Sequence, residues 1–170
     1  MSDFSAPTPI TNGDDCDSFD CGSEALNRFL KHHALGKQNA KLSRTYVVAR
    51  NNRVIAYYTL AHIAVTQDET PRKLGRGMPS SLPAMLLARL AVDTTAQGLG
   101  LGRSLLVDAL RRTWAVMDNG AAPVRLFVVD AKDEVAKSFY ERFEMTPSPH
   151  DPNRLFLSYK DLRALFDGEE

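Results

Sequence analysis

Leu90-Ala91-Val92-Asp93-Thr94-Thr95-Ala96-Gln97-Gly98-Leu99-Gly100-Leu101-Gly102-Arg103-Ser104 is the stretch on which the chain turns. An apolar run from Met85 to Val92 ends at a short polar link, and glycines follow at 98, 100 and 102. An amphipathic segment then runs from Arg103 to Met117. That order predicts a strand, a glycine-rich loop and a helix. Glycines at alternate positions let the backbone turn tightly and present successive N–H groups with no Cβ in the way. Where such a loop opens a helix, the amides and the positive dipole end make an anion site suited to a pyrophosphate. A phosphate-bearing ligand is the expectation.

The same residues exclude two common phosphate sites. No Gly-Lys-Ser/Thr follows, so this is not a P-loop. A dinucleotide fold wants Gly-x-Gly-x-x-Gly in its first strand–helix unit, with an acidic residue about twenty positions on. Here the loop lies past mid-chain and the spacing differs. It does match Gln/Arg-x-x-Gly-x-Gly/Ala, as Gln97-x-x-Gly100-x-Gly102, and so resembles the acetyl-CoA loop of the GNAT N-acetyltransferases. The resemblance implies that Gln97, Gly98, Leu99, Gly100, Leu101, Gly102, Arg103 and Ser104 hold the CoA pyrophosphate. It also implies that Leu90, Ala91 and Val92 lay their backbone along the pantetheine arm.

A chain of 170 residues suits one domain, 1–170, with its core at about 19–165. Hydrophobic residues at 44% and charged ones at 25% are those of an ordinary soluble globular protein. No apolar run approaches the roughly 18 residues that span a bilayer. The start, M-S-D-F-S-A-P-T-P-I, lacks the basic and apolar regions of a signal peptide. The only cysteines, Cys16 and Cys21, read as reduced thiols rather than a disulfide or metal site. A cytoplasmic protein with no membrane contact is expected.

Net charge is zero, so no global basic field announces a nucleic-acid partner. The distribution is uneven, however. Arg28, Lys31, Lys37, Lys41 and Arg44 follow one another without an acidic residue, as do Arg72, Lys73, Arg76 and Arg89 from Pro71 to Leu90. Such clusters are usually solvated faces; two in a neutral chain still favour an anionic macromolecule.

Elsewhere, the first 19 residues read as a polar lead-in with at most a short edge strand near Pro9 to Asn12. Ser23 is a good N-cap for a helix ending near Gly36. Thr45–Ala49 and Val54–Ile63 read as a β-hairpin. Thr66 to Pro83, rich in proline and glycine, reads as a long linker near the acceptor site. A strand at 124–129, a helix at 134–143, a hairpin of 145–146 with 155–159 and a helix at 160–166 complete an α/β fold with a mixed sheet. The resemblance adds the GNAT arrangement, in which the strands on either side of the loop and its helix run parallel and splay apart to admit the cofactor.

The segment Val128 to Met145 carries the second half of the resemblance, since Ser138-Phe139-Tyr140-Glu141-Arg142-Phe143 is similar to the GNAT helix whose tyrosine lies beside the thioester sulfur. By that match Tyr140 is the general acid, and a phenol, protonated at neutral pH with a reference pKa of about 10, suits the task. The bland alternative is a helix tyrosine packed beside Phe139 and Phe143. Glu144-Met145 departs from the usual Gly-Phe, which changes the helix C-cap but not the tyrosine. A backbone N–H of the 90–92 strand, Val92 the best candidate, is placed to meet the developing oxyanion. His32, His33, His62 and His150 form no ligand-spaced set, so no metal is expected.

Four stretches in order are similar to the TacT-type GNAT toxins of bacterial type II toxin–antitoxin systems: F-D-C-G-S-E-A-L-N-R-F-L-K, S-R-T-Y-V-V, L-A-R-L-A-V-D-T-T-A-Q-G-L-G-L-G and F-V-V-D-A-K-D-E-V-A-K-S-F-Y-E-R-F. That likeness implies transfer of acetyl from acetyl-CoA to the α-amino group of aminoacyl-tRNA, which stops translation. It implies a ribbon-helix-helix antitoxin as partner, contact with operator DNA only through the antitoxin complex, and a homodimer. On this reading Lys31, Lys37, Arg76 and Arg89 contribute to tRNA binding. A GNAT enzyme acting on a small amine, an antibiotic or a protein N-terminus remains open, as does a catalytically silent binding module.

Overall fold

In the computed structural model, residues 3–120 and 122–167 are described; the extremes of the expected 1–170 domain and Ala121 lie outside them. The strands are β1 (Thr8–Pro9), β2 (Arg44–Arg50), β3 (Arg53–Thr66), β4 (Ser81–Val92), β5 (Leu126–Asp130), β6 (Thr146–Pro147) and β7 (Arg154–Ser158). The helices are α1 (Glu24–His32), α2 (Ala34–Asn39), α3 (Arg72–Gly75), α4 (Leu101–Asn119), α5 (Glu134–Glu141) and α6 (Tyr159–Phe166). The sheet order is β1-β2-β3-β4-β5-β7-β6. It is mixed: β4 and β5 are parallel, from Ala84 opposite Leu126 to Leu87 opposite Val129, whereas β1·β2, β2·β3, β5·β7 and β6·β7 are antiparallel. Pairing with β5 accounts for only the first part of β4, which runs on to Val92.

Contacts divide the chain into two compact units. The first, Met1–Ala61 with Ala88–Ala109, has a core of Phe29, Leu30 and Ala34 from α1 and α2 against Val47, Val54, Tyr57 and Ala91. The second, His62–Leu87 with Leu110–Glu170, centres on Val65, Leu82, Ala84, Leu126, Val128 and Phe156. Burying each of the valine, leucine and phenylalanine side chains among these contributes about 1.5–3 kcal/mol.

Local chemistry sets the element ends. Ser23 caps α1 by accepting from the Leu26 N–H at 3.4 Å, with Glu24 in the first turn and Lys31 and His32 in the last, as the helix dipole favours. The helix stops at His33, short of Gly36, because His33 leaves the helical region (φ −127°, ψ −30°). The chain then resumes as α2. In the β2–β3 hairpin Asn51 and Asn52 both take positive φ (53° and 66°), the pair a two-residue turn of matching twist requires.

The stretch 66–83 is not the structureless linker its composition suggests. Gln67–Glu69 forms a short 3-10 turn, α3 follows, and β4 has begun by Ser81. Hydrogen bonds replace the missing apolar content. The Thr66 N–H donates to Glu69 (3.1 Å), the Thr70 hydroxyl to the Gln67 carbonyl (2.6 Å) and the Gln67 side-chain amide to the Gly75 carbonyl (2.8 Å). Gly75 is required, since a Cβ there would lie 2.3 Å from the Thr70 Oγ1. Leu74 and Met78 pack on the second unit's core. Among the described residues no helix is long and apolar enough to cross a membrane.

Candidate active site

Gly98 and Gly100 hold φ of +81° and +83°, a region that costs other residues about 1–2 kcal/mol. No atom lies within 4 Å of where a Cβ would stand at either position, so the backbone is open to an approaching ligand. The Ser104 N–H donates to the Gly100 carbonyl at 3.1 Å, one turn back. The amides of Leu101, Gly102 and Arg103 therefore lie in the first turn of α4, where helix geometry supplies no acceptor. Exposed glycine backbone, a helix start and a 19-residue dipole together fit a pyrophosphate. Leu99 is exposed and Leu101 buried, so this hinge of the loop is anchored from the helix side.

The Gln97 side chain plays another part: its amide donates to the carbonyls of Val92 (2.9 Å) and Cys21 (3.4 Å). Between them, Asp93 is buried yet accepts three hydrogen bonds, from the Asp20 N–H (2.9 Å), the Thr95 N–H (2.9 Å) and the Thr95 hydroxyl (2.7 Å). Burial pushes its pKa up, but these donors and the Arg53 charge outweigh that and hold it below the usual carboxylate value. Sequence reasoning passed over Asp93, although an Asp two residues before a Thr at a helix start is an N-cap pattern.

In the second unit β5 ends at Asp130, and Asp133 caps α5 by accepting from the Ala136 N–H at 2.8 Å. Tyr140 sits in the last turn of α5, buried, with Phe139 edge-on at 5.2 Å and Phe139 in turn against Phe143 at 5.4 Å. Burial pushes the Tyr140 phenol up to about 12. Aromatic packing and a phenol that stays protonated at neutral pH coexist in one residue. After α5, Glu144 adopts φ +63°, the left-handed conformation usually given to glycine. Glu144 thus takes the backbone conformation that the motif's glycine would adopt without strain.

The four basic residues fall into three settings. Lys31 and Lys37 are exposed on α1 and α2. Arg89 is half-buried on β4, stacked on Phe29. Arg76 lies in the other unit, exposed at the end of α3, where with Arg72, Asp68, Pro149 and His150 it lines a cleft of about 490 Å³. Arg72, part of the same acid-free run but not among the four residues assigned to tRNA, is one helical turn from Arg76 and shares that cleft. Beside it, Arg154 forms a two-pronged bond with Asp130 (2.7 and 2.9 Å) and lies 3.6 Å from Glu69. Among the described residues no group of three or more His, Cys, Asp or Glu is arranged to hold a metal.

Comparison with known proteins shows the family. Residues 41–144 match the acetyltransferase (GNAT) domain family model. The chain is 40% identical over 165 residues to a tRNA-acetylating toxin of Mycobacterium tuberculosis (strain ATCC 25618 / H37Rv), covering 97% of this chain and 98% of that protein. Among solved structures it resembles AtaT complexed with acetyl-methionyl-tRNAfMet (TM-score 0.88, 30% identity, 96% of this chain and 99% of that one). It also resembles an AtaT mutant toxin bound to the C-terminus of the antitoxin AtaR and acetyl-CoA (TM-score 0.82, 30% identity, 97% and 99%). A glycine loop open to phosphate, a parallel strand pair joined through α4 and a buried α5 tyrosine, in a chain matched over more than half its length, place this protein in the GNAT acetyltransferase family.

Proposed function

We propose that the protein is a toxin acetyltransferase that moves an acetyl group from acetyl-CoA to the α-amino group of aminoacyl-tRNA and thereby blocks translation. The observation that carries this reading is the end-to-end match, over 97% of the chain, to a tRNA-acetylating toxin. Acetyl-CoA supplies an activated acetyl thioester. The backbone of residues 98–103 takes the pyrophosphate, and Leu90–Val92 offer strand edges for the arm. The Val92 N–H is assigned to the acetyl carbonyl oxygen, where negative charge develops.

Tyr140 holds its proton at the phenolic oxygen throughout the neutral range, because burial raises its pKa. It is therefore a hydrogen-bond donor to a departing thiolate and never a competing anion. The α-amine of an aminoacyl ester is less basic than an ordinary amine. It reaches the neutral, nucleophilic form without a strong protein base, and holding both substrates together supplies much of the rate. Lys31, Lys37, Arg76 and Arg89 are assigned to tRNA phosphates; the exposure of the first three supports this, while Arg89 is half-buried.

A ribbon-helix-helix antitoxin is the proposed regulator, supported by the likeness to AtaT bound to the AtaR C-terminus. A cytoplasmic setting follows from that substrate and fits Cys16 and Cys21, which are both free thiols. The test is transfer of labelled acetyl from acetyl-CoA to total charged tRNA, beside Tyr140→Phe. Label on aminoacyl-tRNA that disappears in the variant supports the reading. Turnover with small amines or peptides and none with tRNA replaces it with the small-acceptor alternative.

A further inference from the structure

The three donors on the buried Asp93 carboxylate come from two separate parts of the chain. Thr95 lies just ahead of the glycine loop, whereas the Asp20 N–H belongs to the segment leading into α1. The tie is reciprocated, since the Thr94 N–H donates to the Asp20 carbonyl at 2.8 Å. Asp20 is itself held from α1: its Oδ1 accepts from the buried Asn27 side-chain amide (3.0 Å) and from the Gly22 N–H (2.9 Å). The Asn27 Oδ1 accepts from the Cys21 N–H at 2.9 Å, and the Cys21 carbonyl accepts from Gln97. The Asp93 N–H meanwhile donates to the Ile55 carbonyl of β3 at 2.8 Å. A closed set of hydrogen bonds thus runs from α1 through Asp20 and Asp93 to Gln97, the residue that opens the glycine loop.

We infer that Asp93 is a positioning residue for the donor site: its carboxylate, with Gln97, fixes the link between β4 and the glycine loop so that the amides of 98–103 are already aimed before ligand arrives. Residues 98 and 100 cannot hold that aim themselves, since glycine backbone at positive φ is the most permissive in the chain. The neighbouring Thr94–Ala96 turn is only three residues long and gains its rigidity from the Asp93 cap. A carboxylate is needed because three donors converge on it. An amide in its place offers one oxygen and turns an N–H₂ toward a donor.

The inference rests on the reading of the loop as a CoA site, and the test separates the two. Asp93→Asn is compared with wild type in three ways: calorimetric affinity for CoA, amide hydrogen exchange at 97–102 without ligand, and the ratio of kcat/KM for acetyl-CoA to that for acetylpantetheine. Acetylpantetheine carries the same thioester but no pyrophosphate. CoA affinity is expected to fall about ten- to a hundredfold, the cost of losing charge-assisted bonds. Exchange at 97–102 should quicken relative to exchange in β5, and the donor ratio should fall about tenfold. A general loss of structure lowers turnover of both donors together and leaves their ratio intact; that result, or unchanged CoA affinity, overturns the role of Asp93. Should Asp93→Asn fail to fold, Thr95→Val, which removes only the hydroxyl bond, must shift the same ratio in the same direction. If the wild type itself binds no CoA and does not prefer acetyl-CoA to acetylpantetheine, the donor reading fails instead.

Discussion

The guanidinium carbon of Arg89 lies 3.7 Å from the centroid of the Phe29 ring, so a β4 cation is pressed onto the inner face of α1. Phe29 in turn stacks on Tyr57, with centroids 6.3 Å apart and planes 18° apart. A cation–aromatic contact of this kind contributes about 0.5–2 kcal/mol. Arg89→Lys keeps the charge but not the flat stacking surface, and a thermal melt should show it destabilised by a part of that amount. An Arg89 that served only tRNA phosphates would tolerate lysine with no change in the melt.

Tyr140→Phe should lower kcat by about two to four orders of magnitude while leaving CoA affinity and the melting midpoint close to wild type. Its raised pKa also fixes the shape of the pH profile. The phenol is active when protonated, and that form is lost only as pH rises through about 12. Between pH 6 and 9 the rate should therefore climb as the acceptor amine loses its proton, with no falling limb from Tyr140. A descending limb near pH 9 that persists in the phenylalanine variant belongs to another group, whereas one that vanishes in it keeps Tyr140 as the acid and overturns its raised pKa.

Gly100→Ala places a Cβ on backbone at φ +83°, which strains the loop by about 1–2 kcal/mol and fills space open to ligand. Calorimetry with CoA should show a larger loss in affinity than denaturation shows in stability. Equal losses would mean that the loop is a turn and nothing more.

Reversing both charges of the cleft, Arg72→Glu with Arg76→Glu, should suppress tRNA acetylation and flatten its salt dependence by about one logarithmic slope unit for each phosphate left without its cation. Affinity for CoA should not move. Acetylation of tRNA with an unaltered salt slope would remove this cleft from the tRNA-binding surface.

Much of this was readable from residues near one another in the chain. The glycine loop, the Ser23 cap and the Asn51-Asn52 turn are set by their own backbone requirements, and each stands where its residues say. The stretch 66–83 was misread because its order comes from Thr66, Gln67, Thr70 and Gly75 bonding to one another, which apolar periodicity does not register. Asp93 escaped notice for a related reason. One of its partners, Asp20, lies 73 residues away, and no local pattern announces such a bond. The stacking of Arg89 on Phe29 is not legible either, because an acid-free neighbourhood says nothing about the ring beneath it.

Adjacent tyrosines of β3 point through opposite faces of the sheet. The Tyr57 hydroxyl donates to the Leu26 carbonyl of α1 at 2.7 Å, and the Tyr58 hydroxyl donates to the Asp108 carboxylate of α4. Both rings are fully buried. The strand is riveted from above and below at consecutive residues, so neither helix can lift without breaking a bond that the other side does not share. Deuterium uptake at the amides of these two residues is therefore expected to be among the slowest in the first unit, which makes them a gauge of its interior: an antitoxin or substrate that slows them further acts on more than one edge of the sheet.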